Sequence, residues 1–491
     1  MPPPLPFRGA AKKRPKLHPA EQILLGIITL HLCFLPWALG AMRVWSQETS
    51  GALAIAGFVV ALWPRRYDAE TSEVGSFRLI MWPKLVRFPI FWIGAIFLAY
   101  ILVQAFNPAW RYVEFKSLWW LVRIQHTPWL PHGMDTPFAK SSPWRSLLIY
   151  GSAWLTACAI WVGFTRRRSL LAFLTALAVN AFLLALLGLA ERGLHADKIF
   201  WSWQPPASYF VSSFTYKNHA GAYFNLLLSL CAALAVAYHA SSRRRLKKSS
   251  PSGLFAFMAI ILALIVIFSY SRAATILRLV YLAFALVVVG AGRLLSADRS
   301  RNQLAGLALI FVLLGGSALS ALYFLPTGEA FEGMDKLVKS YQSPTPSFRR
   351  QATLATLDMF RDAPGFGWGA GSFRFAFPIY QRRFPSIYQE DVRRYYWEHA
   401  HNDYAELLAE FGVAGASLLV LGAGYYAATL MRRRFWEHPP VLLLAGGCAV
   451  TLVHSLGDFN FFNPAILITW CAFWPTLVRW MELEGATSPE A

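Results

Sequence analysis

The sequence predicts an all-α, polytopic membrane protein with about twelve transmembrane helices and a large, partly helical loop on the outer side. Of the 491 residues, 56% are hydrophobic and only 15% are charged, against roughly 25% charged residues in a soluble domain. Several apolar stretches have a length of about 17 to 25 residues, which a helix needs to cross a bilayer. Because backbone polar groups must be satisfied inside lipid, these stretches are predicted to be helices.

Apolar stretches alternate with polar ones along the chain, so the spans can be placed directly. The stretch at 50–64 is the weakest, because it is short for a span and could be re-entrant. Residues 1–19 and 481–491 are predicted tails, and 326–403 is the largest loop. The nine spans within residues 20–325 and the three within 404–480 are predicted at 20–42, 50–64, 88–106, 145–164, 169–190, 218–240, 252–270, 274–291, 303–325, 404–430, 440–457 and 463–480.

The net charge of +20 could indicate a nucleic-acid-binding protein. The basic residues come instead in short clusters that follow apolar stretches, as at Arg166–Arg168, Arg243–Lys248 and Arg432–Arg434. Such clusters are typical of the signals that keep a loop on the cytoplasmic side. The sequence therefore predicts that both termini are cytoplasmic and that the chain binds no nucleic acid.

Two loops on the outer side are long. Residues 107–144 are rich in tryptophan and proline, and because such aromatic side chains prefer the headgroup level, this loop is expected to lie along the membrane surface. Residues 326–403 are too long for a simple connection and are expected to be functional. Within them, Ser347–Asp362 is predicted to be a helix that Ser347 caps. The glycine run Pro364–Gly371 ends this helix; it lacks the P-loop pattern and is predicted to be a tight turn under aromatic side chains.

The most informative stretch is His399-Ala400-His401-Asn402-Asp403, where the large loop runs into an apolar stretch. Polar side chains near hydrocarbon are costly and usually functional, and histidine is the side chain best suited to proton transfer near neutral pH. Asn402 or Asp403 can cap a helix that starts here. Two residues apart, the histidines cannot share a helix face, so we expect them to have different roles, such as accepting a proton and orienting a ligand.

This histidine box has two other interpretations. Asn402 and Asp403 could be plain helix caps beside interfacial histidines. The His-x-His-x-Asp spacing could also hold zinc, although that ligand pattern belongs to soluble β-rich scaffolds with further ligands downstream. An apolar stretch follows here, which favours a site without metal.

Basic side chains form the second group of candidates. Arg272, at the end of Ser269-Tyr270-Ser271-Arg272, lies at the outer end of the seventh span, and guanidinium is the preferred group for forked phosphate binding. Arg349 and Arg350 lie at the start of the predicted loop helix, where free backbone N–H groups help to hold an anion. The alternatives are a snorkelling arginine at 272 and a solvated charged face at 349–350.

Two more segments bring polar groups to the same depth. Lys217 and Asn218 lie at the start of the sixth span, and His454 and Asp458 lie at the end of the eleventh. Each of these residues could be a helix cap. Their gathering on one side of the membrane nevertheless points to a shared site.

In these residues the chain resembles the superfamily of O-antigen ligases and Wzy-type O-antigen polymerases, which are bacterial membrane glycosyltransferases. The resemblance covers roughly residues 210–460, and the first five spans match only as apolar helices. The histidine box together with the glycine run is its more specific part. Four motifs match in order: Phe-Thr-x-x-Asn at Phe214–Asn218, Ser271-Arg272, a loop arginine followed by Pro364–Gly369, and His-x-His-Asn ahead of Glu-Phe-Gly at His399–Gly412.

The resemblance implies transfer of a glycan from undecaprenyl diphosphate to an acceptor hydroxyl on the periplasmic face of the inner membrane, with inversion and without metal or nucleotide. It implies that Arg272 and either Arg349 or Arg350 grip the diphosphate, and that His401 is the base on the acceptor hydroxyl. His399 is the second catalytic candidate. The residues expected to support the site are Lys217, Asn218, Asn402, Asp403, His454 and Asp458.

This chemistry is physically consistent with the residues present. A diphosphate is already a good leaving group, so the protein needs cations to hold the developing charge and a base for the incoming hydroxyl, but no cofactor. The acceptor could be a lipid A core, another lipid-linked repeat or a protein hydroxyl, and ligase is not separated from polymerase. The main alternative is a transporter or flippase of a lipid-linked saccharide, which would use the same cationic cavity without a base. A structural partner would need neither His401 nor Arg272.

Overall fold

The computed structural model describes residues 16–68, 76–116, 118–206, 210–244, 249–294, 348–388 and 396–485, which are mostly helical. This confirms the main part of the predicted fold class. The predicted span 303–325, residues 326–347 of the large loop and most of both predicted tails lie outside the described residues. The α-helices are α1 (Pro19–Trp37), α2 (Val44–Leu62), α3 (Trp82–Val86), α4 (Pro89–Phe106), α5 (Pro143–Gly163), α6 (Arg167–Gly193), α7 (Lys217–Arg244), α8 (Ser252–Phe268), α9 (Arg272–Leu294), α10 (Phe348–Asp362), α11 (Phe373–Gln381), α12 (Asp403–Arg432), α13 (Pro439–His454) and α14 (Pro464–Gly485).

Among the described residues, seven helices are long and apolar enough to cross a bilayer: α1, α4, α5, α6, α7, α9 and α12. The shorter apolar helices α8 and α13 accompany them. The chain is therefore a multi-pass membrane protein, although a count of twelve spans is not confirmed. Every predicted span except 303–325 falls on a described helix. The weak stretch at 50–64 is the C-terminal part of α2, which begins earlier and buries the polar side chains of Gln47 and Ser50.

The chain also contains strands, so the all-α prediction is incomplete. Part of the tryptophan-rich loop at 107–144 forms strands, which the sequence analysis did not predict. The strands are β1 (Arg65–Tyr67) and β2 (Phe77–Leu79), which pair antiparallel, and β3 (Pro108–Phe115), β4 (Leu118–Arg123) and β5 (Gly133–Asp135). The latter three form a sheet in the order β4-β3-β5, in which β3 runs antiparallel to β4 and parallel to β5.

One face of this sheet packs on helices of the large loop. Trp110 stacks on Trp368 with ring centroids 6.1 Å apart, and Tyr112 meets Phe375 edge to face at 5.2 Å. Met359 of α10 is fully buried in the same apolar core. The described parts of the two long loops therefore form one body at one end of the helical bundle, which we call the cap (residues 107–116, 118–142, 348–388 and 396–402).

Backbone contacts at a break in α12 fasten the cap to the bundle. Gly412 interrupts the helix with a φ of 60°. The N–H groups that this break frees, on Val413 and Ala414, donate to the carbonyls of Pro364 and Gly365 at 2.8 and 3.1 Å. The glycine run thus forms a turn, and the turn docks directly on a membrane helix.

Gly367 is a position in this turn that cannot accept a side chain without strain. Its φ of 73° is left-handed, and a Cβ there would lie 2.4 Å from the carbonyl carbon of Glu410. We expect Gly367→Ala to lower the free energy of unfolding by about 2 kcal/mol or more, measured as a lower melting temperature of the purified protein. Gly365→Ala is the control, because a Cβ at Gly365 meets open space. Equal losses in the two variants would contradict the docked turn.

Candidate active site

A buried carboxylate lies among the predicted polar residues at the cap end of the bundle. Asp458 follows α13 and is fully buried. Its Oδ2 accepts a hydrogen bond from Asn218, at the start of α7, and lies 3.5 Å from the hydroxyl of Tyr216. The same oxygen is 3.7 Å from a guanidinium nitrogen of Arg349, and Oδ1 is 3.7 Å from Nδ1 of His401. Segments that are distant in the chain therefore meet at one carboxylate.

The surroundings keep this carboxylate ionised. Burial by itself raises the pKa of a carboxyl group. The imidazole of His401 and the guanidinium of Arg349 act against this effect of burial, and they help to hold the pKa of Asp458 well below its usual range. Because a buried charge is stable only with such partners, Asp458 fixes the positions of both.

His401 occupies a strained and partly exposed position. Its φ of 53° is left-handed, which costs a non-glycine residue about 1–3 kcal/mol and is typical of functional sites. Its Nδ1 is buried and has no hydrogen-bond partner within the described part of the chain, whereas the side chain is 23% exposed. The rings of Trp397 and Phe459 stand nearly perpendicular to the imidazole at 5.4 and 4.9 Å. The accessible side of the ring is therefore the side away from Nδ1.

His399 has different partners, in line with the expectation that the two histidines play different parts. Its Nδ1 lies 2.8 Å from Oε1 of Glu406, whose other oxygen accepts the backbone N–H of Ala400 at 2.6 Å. Its ring stacks on Phe459 and also meets Phe462, both at 4.6 Å. Burial lowers the pKa of His399 to about 4, so the ring is neutral near pH 7.

Asn402 caps the start of α12, and Asp403 joins it to the loop after α13. The side-chain oxygen of Asn402 accepts two backbone N–H groups of the first helical turn, each at 3.1 Å, so Asn402 is the predicted cap. The carboxylate of Asp403 accepts the backbone N–H of Phe461, and the N–H of Asp403 donates to the carbonyl of Ser455, both at 3.0 Å. These bonds hold the histidine box against the segment that carries the central carboxylate.

Cationic side chains gather beside Asp458. A guanidinium nitrogen of Arg349 donates to the backbone carbonyl just before Asp458 at 2.7 Å, and its side chain remains 47% exposed. Arg272 begins α9 and, like Arg349, lies close enough for its charge to act on Lys217. Arg272 and Arg349 therefore both lie within electrostatic range of Lys217. Of the two adjacent loop arginines, Arg349 makes these contacts at the carboxylate, and Arg350 is exposed beside it.

Two buried histidines complete the region. Both ring nitrogens of His454 are buried and lack a hydrogen-bond partner in the described ranges, and the charges of Asp458 and Arg349 act on this ring. Nε2 of His219 lies 3.2 Å from the carbonyl of Phe459. A carbonyl only accepts, so Nε2 of His219 is the donor and carries the proton.

Phe459 is a residue that the sequence analysis did not single out. Its ring contacts the rings of Tyr216, His219, His399 and His401 at 4.6 to 5.0 Å. Its backbone N–H donates to Oδ1 of the preceding aspartate at 3.0 Å. One phenylalanine among many in an aromatic-rich chain gives no signal of this role; adjacency to a candidate aspartate was the only sequence cue.

The histidine box does not converge on one point, as a metal site requires. His399 faces Glu406. His401 faces Asp458, and Asp403 accepts a backbone N–H. No group of three or more His, Cys, Asp or Glu side chains among the residues that the structure describes could hold a metal ion. These directions do not fit the zinc interpretation.

Residues 257–420 match the family model described as O-antigen ligase, Wzy_C. This segment is about a third of the chain; it contains Arg272, Arg349 and His401 and ends before Asp458. No curated protein matches the chain by sequence. The match confirms the family resemblance that the motifs predicted.

The lowered pKa of His399 predicts a pH dependence of stability. An unfolded histidine takes up a proton as the pH falls through about 6.5, whereas the folded ring stays neutral down to about 4. The unfolded state then binds more protons than the folded state, so stability rises with pH across this window and falls on acidification. We expect the melting temperature of the purified protein to fall between about pH 7 and about pH 5.

The control for this prediction is His399→Gln, which removes the titration but keeps an amide near Glu406. The difference in melting temperature between the wild type and this variant should shrink as the pH falls. Parallel curves for the two proteins would contradict a neutral, buried His399.

Proposed function

We propose that the chain transfers a glycan from undecaprenyl diphosphate to an acceptor hydroxyl on the periplasmic face of the bacterial inner membrane, in keeping with the match of residues 257–420 to the O-antigen ligase model. The enzyme would act as a ligase or polymerase of a surface polysaccharide. The observation that carries this proposal is the placement of a guanidinium and an imidazole, each 3.7 Å from the buried carboxylate of Asp458. The acceptor, such as a lipid A core or a second lipid-linked repeat, is not specified by these residues.

His401 suits the role of general base. In the tautomer whose Nδ1–H points at Asp458, Nε2 carries the lone pair and lies on the accessible side of the ring. The 3.7 Å separation exceeds a hydrogen bond, but catalytic hydrogen bonds often tighten only once substrate is bound. Asp458 would orient the imidazole and stabilise the imidazolium that forms, as a carboxylate does in a catalytic triad.

The reaction we propose is one inverting displacement. The acceptor oxygen attacks the anomeric carbon, forms the new glycosidic bond and gives its proton to Nε2 of His401. The bond from the anomeric carbon to the diphosphate oxygen breaks, and its electron pair stays on that oxygen. Arg272, Arg349 and Lys217 stabilise the negative charge that develops there. The cations supply this stabilisation directly, so the proposed step uses neither metal nor cofactor.

The other predicted residues take supporting roles in this scheme. Asn218 holds the carboxylate of Asp458, and Asn402 and Asp403 fix the start of α12. His399 is committed to Glu406, so we assign it to positioning rather than to proton transfer. His454 and its unpartnered nitrogens lie close enough to respond to the charge of the site.

Loss of the base tests whether the protein is an enzyme. We expect His401→Ala to abolish glycan transfer by the purified protein, with unchanged folding and donor binding, because this change removes the imidazole that takes the hydroxyl proton in the proposed reaction. The donor is the lipid-linked glycan that accumulates in deletion-mutant cells, and the readout is glycan transferred per enzyme. EDTA should leave the wild-type rate unchanged.

The matched control is His126→Ala, another partly buried histidine of the cap. Full transfer by His401→Ala would rule out this base. Movement of the lipid-linked saccharide by His401→Ala, without transfer by the wild type, would instead identify a transporter or flippase.

The two adjacent loop arginines provide an internal comparison. Arg349→Ala should lower the transfer rate by about 10²–10³-fold, as expected when one group that stabilises transition-state charge is lost. Arg350→Ala is the comparison, and we expect the larger loss at Arg349, because the guanidinium of Arg349 lies 2.7 Å from the carbonyl of Gly457 and 3.7 Å from the carboxylate of Asp458. Initial transfer rates at saturating donor measure the loss in each of the two variants. A larger loss in Arg350→Ala would reverse the assignment.

A further inference from the structure

Beside the histidine box lies an exposed tyrosine stacked on an arginine, which the proposed reaction does not use. The guanidinium of Arg374 lies 5.2 Å from the ring centre of Tyr396 and 5.7 Å from that of Phe375. Its Nε donates to the Tyr396 hydroxyl at 3.2 Å, and a terminal nitrogen pairs with Glu398 at 3.2 Å. Even so, Tyr396 is 43% exposed and the side chain of Glu398 is 62% exposed.

This cluster can still donate and accept further hydrogen bonds. A guanidinium has five N–H groups, and those of Arg374 donate to Tyr396, to Glu398 and to the carbonyl of Lys140 at 3.1 Å. That leaves donors on Arg374 and a largely exposed acceptor on Glu398. Because the ion pair is balanced in charge, the cluster suits a neutral polar ligand better than a diphosphate, unlike the cations beside Asp458.

A saccharide has the surfaces that such a cluster binds. One face of a pyranose ring carries C–H groups, which pack on an aromatic ring such as that of Tyr396. Its hydroxyl groups both donate and accept hydrogen bonds. A planar guanidinium or carboxylate group can bind two adjacent sugar hydroxyl groups at once.

The position of the cluster relates it to the acceptor rather than to the donor. Glu398 directly precedes His399, and the charges of Glu398 and Arg374 act on His399. Arg349, in contrast, acts on Asp458. In an inverting displacement the acceptor approaches the anomeric carbon from the side opposite to the leaving diphosphate. The acceptor is therefore expected on the side of the histidine box away from the cations.

We propose that Tyr396, Arg374 and Glu398 form the subsite that binds the acceptor sugar carrying the attacking hydroxyl, an inference that rests on the proposed transferase function. The chain offers a second pair of the same kind for comparison. Arg192 lies over Tyr270 at 5.4 Å, and Tyr270 is also 43% exposed. Tyr270 directly precedes Ser271-Arg272, so this second pair lies near a cation assigned to the donor.

The experiment separates acceptor binding from donor binding. The acceptor probe is envelope glycan of the deletion mutant after mild acid, which hydrolyses the bond between the anomeric carbon and the diphosphate, so that the glycan has lost its leaving group and can only accept. With lipid-linked donor in excess, Tyr396→Ala should raise the KM for this probe roughly tenfold while kcat changes little. Tyr396→Trp, which keeps an aromatic face, should restore the KM. Tyr270→Ala should leave the acceptor KM unchanged.

The neutral control is Arg361→Ala, because Arg361 forms an exposed ion pair with Asp358 elsewhere in the cap. If Tyr396→Ala lowers kcat together with the melting temperature, Glu398→Gln becomes the deciding variant, because the side chain of Glu398 is mostly exposed. The proposed subsite then requires that Glu398→Gln raise the acceptor KM. An unchanged acceptor KM in both Tyr396→Ala and Glu398→Gln overturns the subsite. Retained transfer in His401→Ala would instead defeat the proposed base, whatever the KM values show.

Discussion

The site depends on one buried carboxylate and on the need to compensate its charge. An ionised carboxylate removed from water costs several kcal/mol unless donors and cations surround it. Asp458 finds them in Asn218, Arg349 and His401, which come from different helices and from the cap. The same compensation that stabilises the carboxylate therefore places a cation and an imidazole side by side. In the proposed reaction these two groups serve the leaving group and the incoming hydroxyl.

A rigid frame keeps these groups in register. The cap is docked through backbone hydrogen bonds at the break of α12, so main-chain bonds connect the turn that follows α10, which carries Arg349, to α12, which follows the histidine box. Asp403 ties the start of α12 to the loop that carries Asp458. Precise placement of reacting groups is worth a large part of a catalytic barrier, and here it rests on main-chain bonds more than on flexible side chains.

The sequence predicted the helices well, because an apolar stretch of membrane length allows no other backbone structure. It also predicted the capping of α12 by Asn402 and grouped Arg272, Arg349, His401 and Asp458 at one depth. The sheet at 108–135 was missed, because its alternating aromatic side chains were taken as interfacial. The pairing of His401 with Asp458, and of His399 with Glu406, could not be predicted, because it depends on how distant helices pack. Only the structure shows that Arg349 contacts the segment that carries Asp458.

The most direct test of the central claim is a double-mutant cycle on the transfer rate with Asp458→Asn and His401→Gln. If the carboxylate acts through the imidazole, the double variant should be no slower than the slower single variant, because residues that act as a unit are not additive. Losses that multiply would show that the two side chains act independently, and would contradict the site built around Asp458.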